Sequence, residues 1–452
     1  MYIKEQKFLV VGASKSGVAV ANYLLGKCKE CYVFEELQTE NIVNTLKTLT
    51  EKGAIVITTI SEEVLSNIDV VILSPGVPIN HEIAVLSKKL GKRIMGELEF
   101  SLLRFNPPLV AITGTNGKTT TVSLIDNILK EARLEYEVVG NIGIPLASKI
   151  ESSTKNTLLV AEVSSFQLET LNHLLPHITC ILNISPDHLE RHYTMENYVF
   201  LKKKIFKNQQ CDDFAVLNYD DDLVREFKEE INSKIIWVSL KESVKGAYLK
   251  EGKLYYFNEY IMDVENLALI GEHNVYNSLF AIAVCKILGI NNEVIVSALK
   301  TFKGVKHRIE LVAEKNGKKY FNDSKSTNTA SSIVALSAMQ APTVLILGGS
   351  EKGENYDNLF EKIKLSEIKH VVLTGASRLN MLNCATKHGV NNVTVTESFS
   401  VAVNVANMVA KEGENVLLSP ACASFDKFSG YEERGEEFIK LVGELQSWKK
   451  KY

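Results

Sequence analysis

At 452 residues the chain exceeds what one hydrophobic core organises, and a scale of about 150 residues per domain predicts three domains. Hydrophobic residues at 45% and charged residues at 23% exclude a disordered chain, and 51 basic against 54 acidic residues exclude a whole-protein attraction to nucleic acid or an anionic membrane. No apolar run approaches the roughly 18 residues of a membrane span, and Phe8-Leu9-Val10-Val11 is too short for a signal-peptide core, so a cytoplasmic protein is expected.

Short β-branched runs alternate with helical stretches, the pattern of a parallel α/β architecture. Lys7–Val11 reads as a first strand, Gly12–Gly17 as a glycine-rich turn and Val18–Leu25 as the helix after it. Further strands are expected at Cys31–Phe34, Ala54–Ile57 and Asp69–Leu73, the last stopping in the turn Ser74-Pro75-Gly76, with the unit closing near Gly96. Cys28-Lys29-Glu30-Cys31 has redox or zinc spacing, but no second pair completes a tetrahedral site. The seven cysteines are an odd, scattered set, expected as reduced, buried thiols. A second strand–loop–helix unit begins at Leu109–Ile112, followed by strands at Thr157–Val163 and Thr179–Leu182. Small antiparallel strands are expected between Lys234 and Asp263, an apolar helix over Asn274–Leu288 and a hinge at Phe302–Gly304. The last third repeats the α/β pattern with strands at Thr343–Gly349, His370–Gly375 and Asn415–Pro420.

The strongest chemical signal is Gly114-Thr115-Asn116-Gly117-Lys118-Thr119-Thr120 between a strand and a helix. A glycine-rich turn lets backbone N–H groups converge on phosphate oxygens, and the helix N-terminus adds positive potential. Lys118 can reach terminal phosphates and Thr119 can ligate magnesium; a strict P-loop would carry its first glycine where Ile112 stands, so the loop is a variant. Glu162 ends an otherwise apolar strand, where a carboxylate suits magnesium bridging ATP phosphates. Asp187 and His188 follow another strand and could hold a second metal or a substrate. His188 and His192 are four apart, but Leu189 stands where a zinc protease needs glutamate. In Phe200–Phe206 one of three lysines is expected to turn inward. Glu35 stands where a ribose-binding acid belongs, yet the middle position of the Gly12–Gly17 turn is Ser14, a weak signal for NAD; another diphosphate held by Lys15 and Ser16 is the alternative. Asn322–Asn328, Gly348–Gly353 and Ser419–Phe425 each follow a strand and offer cations and hydroxyls to an acidic small molecule.

Together, Gly114–Thr119, Glu162–Leu168, Asn183–His188 and Gly271-Glu272-His273-Asn274-Val275-Tyr276-Asn277 resemble the Mur ligase family of peptidoglycan synthesis over essentially the whole chain. Asn322–Asn328 and Ser419–Asp426 resemble its D-glutamate-adding branch, and the Asp-Asn-Pro-Arg string of the diaminopimelate- or lysine-adding enzymes is absent. The resemblance implies an α/β fold of three domains: a Rossmann-like N-terminal domain for a UDP-sugar (1–96), a central P-loop ATPase domain (97–304) and a Rossmann-like C-terminal domain for the amino acid (305–452). It implies a monomeric ligase taking ATP with two magnesium ions, UDP-N-acetylmuramoyl-L-alanine and D-glutamate.

On it, Lys118 and Thr119 serve ATP and magnesium, Glu162 and His188 are metal ligands, and Lys202 matches a carbamylated lysine. Asn274, Asn277, Arg308 and Asp323 contact the nucleotide, and Thr327, Lys352 and Ser424 hold D-glutamate. Asn141 and Ser74-Pro75-Gly76 line the UDP-sugar site, which Lys15, Ser16 and Glu35 would complete. Two departures stand out: Ser14 and Lys15 alter the glycine-rich turn, and Tyr431 replaces a phenylalanine expected near the amino acid. A folylpolyglutamate synthase shares the ATPase core, but the whole N-terminal α/β domain favours a UDP-sugar.

Overall fold

Strands buried on both faces read as continuous apolar runs and belong in parallel sheets covered by helices. The computed structural model describes residues 3–37, 39–105, 107–269, 271–351, 353 and 355–445, and among these three sheets form. Strands β1 (Lys7–Val11), β2 (Glu30–Phe34), β3 (Ile55–Ile57), β4 (Val70–Leu73) and β5 (Arg93–Gly96) make a parallel sheet in the order β3-β2-β1-β4-β5. Strand order reverses between β1 and β4, and such switch points open a ligand crevice beyond the strand carboxyl ends.

The second sheet contains β6 (Leu109–Thr113), β7 (Tyr136–Gly140), β8 (Leu158–Glu162), β9 (Ile178–Ile181), β10 (Phe214–Asn218), β11 (Lys234–Ser239), β12 (Gly246–Lys250), β13 (Lys253–Tyr256) and β14 (Glu259–Asp263). Their order is β14-β13-β12-β11-β10-β9-β6-β8-β7, so β6 lies between β8 and β9. The third sheet, from β15 (Glu310–Lys315), β16 (Lys318–Asn322), β17 (Thr343–Leu347), β18 (Ile368–Leu373), β19 (Val393–Val395) and β20 (Asn415–Leu418), runs β15-β16-β20-β17-β18-β19. It is parallel except for the β15–β16 pair.

The chain forms two compact units, Met1–Leu267 with Val275–Phe302 and Ala268–Asn274 with Lys303–Tyr452. The first holds two of the sheets, joined by buried carboxylates at the start of helix Glu97–Leu102. Glu97 Oε1 accepts from Ala147 N at 2.7 Å, and Glu99 Oε2 accepts from Asn172 N and His173 N, each at 3.0 Å. Burial, opposed by the Ala147 N–H and the Ser101 hydroxyl, pushes the Glu97 carboxyl up to about 7.

Three expectations are corrected. The helix expected from Val18 begins at Lys15, because the turn after β1 closes in three residues and Ser14 takes the N-cap. Not all strands between Lys234 and Asp263 are antiparallel: β11 runs parallel to both β10 and β12, and only β12–β13–β14 is an antiparallel meander. β10 itself carries a clean apolar run, Phe214–Leu217, that the element order had omitted.

The first turn shows why its two end glycines are needed. Gly12 has φ +95°, and Ser74 Oγ donates to its carbonyl at 2.9 Å. A Cβ on Gly17 would lie 1.9 Å from that carbonyl oxygen and 2.8 Å from Ser74 Oγ. Gly17→Ala is therefore expected to lower stability by about 1–3 kcal/mol in urea unfolding, the cost of overpacking. Gly443→Ala, whose Cβ meets nothing within 4 Å in a helix, should be neutral or slightly stabilising.

Candidate active site

The glycine-rich loop follows the fully buried β6 and enters helix Lys118–Glu131. Gly114 has φ +154° and Gly117, the N-cap, φ +85°; a Cβ on Gly117 would lie 2.4 Å from Asn277 Oδ1. The residues after β9 hold the loop in place. Asn183 accepts from Thr115 N (3.0 Å) through its carbonyl and from Asn116 N (2.8 Å) through Oδ1, and its Nδ2 donates to Asn116 O at 3.1 Å. Thr115 Oγ1 accepts from Ser185 N at 3.0 Å and lies 3.1 Å from the Tyr198 hydroxyl. Thr121 Oγ1 donates to Asn277 Oδ1 at 3.2 Å. Thr119 and Thr120 are buried in the first turn, and Thr120 Oγ1 has no protein partner. The result is a rigid backbone N–H cradle at a helix N-terminus, suited to phosphate.

Two ammonium groups converge on one carbonyl in this loop. Lys118 Nζ donates to Gly114 O at 2.7 Å and Thr115 O at 2.8 Å. Lys202, the inward lysine of helix Met195–Lys203 and 1% exposed, donates to the same Gly114 O at 2.8 Å and to Thr113 Oγ1 at 3.0 Å. Burial, reinforced by the Lys118 charge, holds the Lys202 ammonium well below the ordinary lysine range, against the opposing pull of Asp187 and Glu162.

Glu162, at the end of β8, is buried; its Oε1 accepts from Asn141 Nδ2 at 2.7 Å, while Oε2 has no hydrogen-bond partner among the described residues. A buried carboxylate oxygen left unpaired is costly unless a cation or donor completes it. The Glu162 carboxylate and the Thr119 hydroxyl are hard oxygen donors of the kind magnesium takes, so the residue types fit that ion. His188 has φ +53° and is half exposed, with its ring 4.7 Å from Phe166 and its Nε2 3.6 Å from Asp187 Oδ2. His192 instead is buried, its Nε2 2.9 Å from Ser165 Oγ.

At the crevice of the first sheet, Ser14 and Lys15 are exposed and Ser16 half-buried at the helix start. Glu35 closes the turn: its Oε2 accepts from Ala13 N at 2.7 Å and its Oε1 from Leu37 N at 3.0 Å. Arg191 is the residue that sequence reading left without a role. Its guanidinium donates to Pro75 O (3.1 Å), Gly76 O (3.3 Å) and Val77 O (3.3 Å), pairs with both Glu169 oxygens (2.7 and 2.6 Å) and stacks 4.1 Å from the Phe166 ring centroid. Arg191 thus ties the loop after β4 to the turn carrying His188. A bidentate, stacked arginine is recognisable only once its three chain segments are brought together.

In the second unit, Asp323 follows β16 and is buried. Its Oδ1 accepts from Ile309 N at 3.2 Å and its Oδ2 from Ser419 Oγ at 2.7 Å. Burial pushes its carboxyl up to about 6, with Arg308 opposing. Arg308 sits between two residues of positive φ, His307 (+63°) and Ile309 (+45°). Arg434, absent from the sequence-level site, is buried in helix Tyr431–Glu444 and joins two loops. It donates to Ser324 Oγ (2.9 Å), Ser324 O (2.7 Å), Cys422 O (3.0 Å) and Ala423 O (3.2 Å). Ser424 is buried beside these carbonyls and Thr327 half-buried; Tyr431 O accepts from Ser324 Oγ at 2.8 Å, and the Lys325 ammonium lies 5.2 Å from the Tyr431 ring centroid. Asn274 is buried in the first turn of helix Glu272–Ile287. Lys352 lies outside the described residues.

A P-loop between parallel strands, with ligand loops at the carboxyl ends of all three sheets, defines an α/β phosphate-handling protein. Family models place it further: "Mur ligase MurD-like, N-terminal domain" matches residues 6–96, "Mur ligase middle domain" 112–285 and "Mur ligase, glutamate ligase domain" 307–422. A protein of Caldanaerobacter subterraneus subsp. tengcongensis named UDP-N-acetylmuramoylalanine–D-glutamate ligase is 41% identical, covering 99% of this chain and 100% of its own. One of the same name from Clostridioides difficile is 39% identical over 99% and 100%. Among solved structures, a UDP-N-acetylmuramate-alanine ligase, MurC, of Thermotoga maritima matches with TM-score 0.63 at 18% identity, covering 97% of this chain and 99% of that one. A MurF ligase of the same organism in complex with ADP matches at TM-score 0.60 and 18% identity over 98% and 96%. The chain belongs to the Mur ligase family.

The Asp323 carboxyl gives a pH test of the second unit. Its folded value, about 6, lies above the ordinary 3.8, so the folded state holds this proton more tightly than the unfolded chain. The contribution is present below pH 4 and lost as pH rises through 6. The stability of Asp323→Asn relative to the parent should therefore rise between pH 4 and 7, by at most about 3 kcal/mol, and level off above; a flat difference in urea unfolding would contradict the burial argument.

Proposed function

We propose that the chain is an ADP-forming ligase that joins the amine of D-glutamate to the L-alanine carboxylate of UDP-N-acetylmuramoyl-L-alanine in peptidoglycan precursor synthesis. The observation that carries this reading is the pair Lys118 and Lys202 on the Gly114 carbonyl, with a Glu162 oxygen at the end of the neighbouring strand that has no partner among the described residues. Near-full-length relatives bearing the name of that ligase support the substrates.

A carboxylate resists attack by an amine until one oxygen becomes a good leaving group. A carboxylate oxygen of the UDP-sugar attacks the γ-phosphorus of ATP and ADP leaves; the D-glutamate amine then attacks the acyl carbon, phosphate departs and the amine loses its proton. The N–H groups at the helix start, Gly117–Thr120, and the Lys118 ammonium hold the phosphates and offset charge growing on the transferred group, while Asn183 keeps the N–H groups of Thr115 and Asn116. Asn274, Asn277, Arg308 and Asp323 are assigned to the nucleotide. Lys15, Ser16, Glu35, Ser74, Pro75, Gly76 and Asn141 are assigned to the UDP-sugar, and Thr327, Lys352, Ser424 and Tyr431 to D-glutamate. In domain terms, 1–96 serves the UDP-sugar, 97–304 ATP and 305–452 the amino acid.

Thr119, Glu162 and His188 would hold magnesium, which neutralises phosphate charge when bound. Lys202 adds a further oxygen ligand once carbamylated. Its amine, whose charged form burial disfavours, attacks carbon dioxide as the neutral species, forming an N–C bond and releasing one proton to leave a carbamate. That step puts an anion beside Lys118 in place of a neutral amine, and the donor set then suits two magnesium ions.

Phosphate release from ATP should require both UDP-N-acetylmuramoyl-L-alanine and D-glutamate, with L-glutamate inactive; release with neither substrate would overturn the reading. Lys118→Ala should lower kcat by at least about 1,000-fold, as loss of a phosphoryl-stabilising cation does. Lys202→Ala should lose activity that short-chain carboxylic acids partly restore, and a parental rate without added acid would remove the carbamate. Arg191→Ala should raise KM for the UDP-sugar by about ten-fold while leaving KM for ATP within two-fold, because the loop it holds belongs to the first sheet.

A further inference from the structure

Away from the loops described above, helix Asp357–Lys364 and helix Arg378–Lys387 bring three unlike donors together. Cys384 and His388 are one helical turn apart and face Asp357, the first residue of the other helix. Asp357 Oδ1 lies 2.7 Å from His388 Nε2 and 3.6 Å from Cys384 Sγ, and all three donor atoms fall within 4.8 Å of one another. Tetrahedral zinc at its usual bond lengths separates sulfur, nitrogen and oxygen ligands by about 3.3–3.6 Å, so the Asp357–Cys384 spacing already matches and His388 needs to draw back from Asp357 by roughly half an ångström. All three residues are partly buried, with a solvent-facing side left for water. A thiolate with an imidazole selects zinc over magnesium or calcium.

We propose that Asp357, Cys384 and His388 form a zinc site with water as fourth ligand. On binding, the Cys384 thiol gives its proton to solvent and a Zn–S bond forms; His388 binds through Nε2 with its proton on Nδ1, and Asp357 binds through Oδ1. Carboxylate and thiolate together balance the 2+ charge. Lys387 Nζ, 2.8 Å from Asp357 Oδ1 in the metal-free arrangement, is the competing cation; its side chain is 65% exposed and swings to solvent. The ion pins the first turn of helix Asp357–Lys364 to helix Arg378–Lys387. The latter already holds the loop after β17, through Asn380 Nδ2 donating to Glu351 Oε2 at 2.7 Å. The site is structural: it sets where that loop returns to the fold.

The test is zinc titration of chelator-stripped full-length protein against a chromophoric competitor, with cobalt(II) as spectroscopic probe, in a Cys28→Ser background that breaks up the close Cys28–Cys31 thiol pair. One equivalent of zinc and a thiolate-to-cobalt charge-transfer band are expected. Cys384→Ser should abolish the band, and His388→Gln should weaken zinc binding on the order of 100-fold, no less than loss of an outer-shell partner costs. Lys387→Met, at an exposed position and so without effect on folding, should tighten it. No stoichiometric uptake, a band that survives Cys384→Ser, or zinc affinity indifferent to Lys387→Met would each overturn the site.

Discussion

The candidate site depends on one electrostatic arrangement: two lysine ammonium groups share the Gly114 carbonyl inside a cradle whose nearest strand end carries a buried carboxylate. Both lysines donate to oxygens of the loop and of the strand end before it. Like charges in a dry environment repel strongly, and one group relieves that by losing its proton or by gaining an anion. The Lys202 amine is displaced in that direction, while Lys118 remains at the helix N-terminus where phosphate would neutralise it. The loop tolerates this imbalance because Asn183, Ser185, Tyr198 and Asn277 fix its backbone from three other segments.

The same economy of buried polar groups recurs in the other two sheets. At the first, Glu35 receives backbone N–H groups of its own turn, and Ser74 bridges from β4 to the Gly12 carbonyl at the point where strand order reverses. At the third, Arg434 donates to four acceptors and touches no carboxylate among them; burial brings its guanidinium down to about 10. These groups act largely on backbone, so they fix loop shape and leave side chains such as Ser424 and Thr327 outside that bonding. A family that varies the incoming amino acid can change such side chains without rebuilding the loops.

Much of this was legible from residue order alone because it rests on local periodicity and turn chemistry. Apolar runs marked β1, β4, β6, β17 and β20 within a residue or two, and the glycine–lysine–threonine string stood between a strand and a helix, where the fold has it. Long-range closure was not legible. Three lysines in Phe200–Phe206 are equivalent to any periodicity argument; Lys202 is the one whose helix face meets the Gly114 carbonyl, whereas Lys204 reaches the carbonyls of Leu168 and Glu169. Arg191 reads as one more charge in a polar string and Arg434 as a cation in an acidic helix. Both become structural only when segments roughly a hundred residues apart are brought together.

All three candidate regions follow the carboxyl ends of parallel strands, and the charge arrangement in the second sheet is suited to moving a phosphoryl group to a carboxylate. The direct test is oxygen tracing: UDP-N-acetylmuramoyl-L-alanine carrying ¹⁸O in its carboxylate is turned over with ATP and D-glutamate, and the released phosphate is weighed. Activation through an acyl phosphate predicts one ¹⁸O atom in each phosphate derived from labelled carboxylate oxygen. Phosphate free of label, with amide product still formed, would contradict transfer to the carboxylate and with it the reading of the Lys118 and Lys202 site.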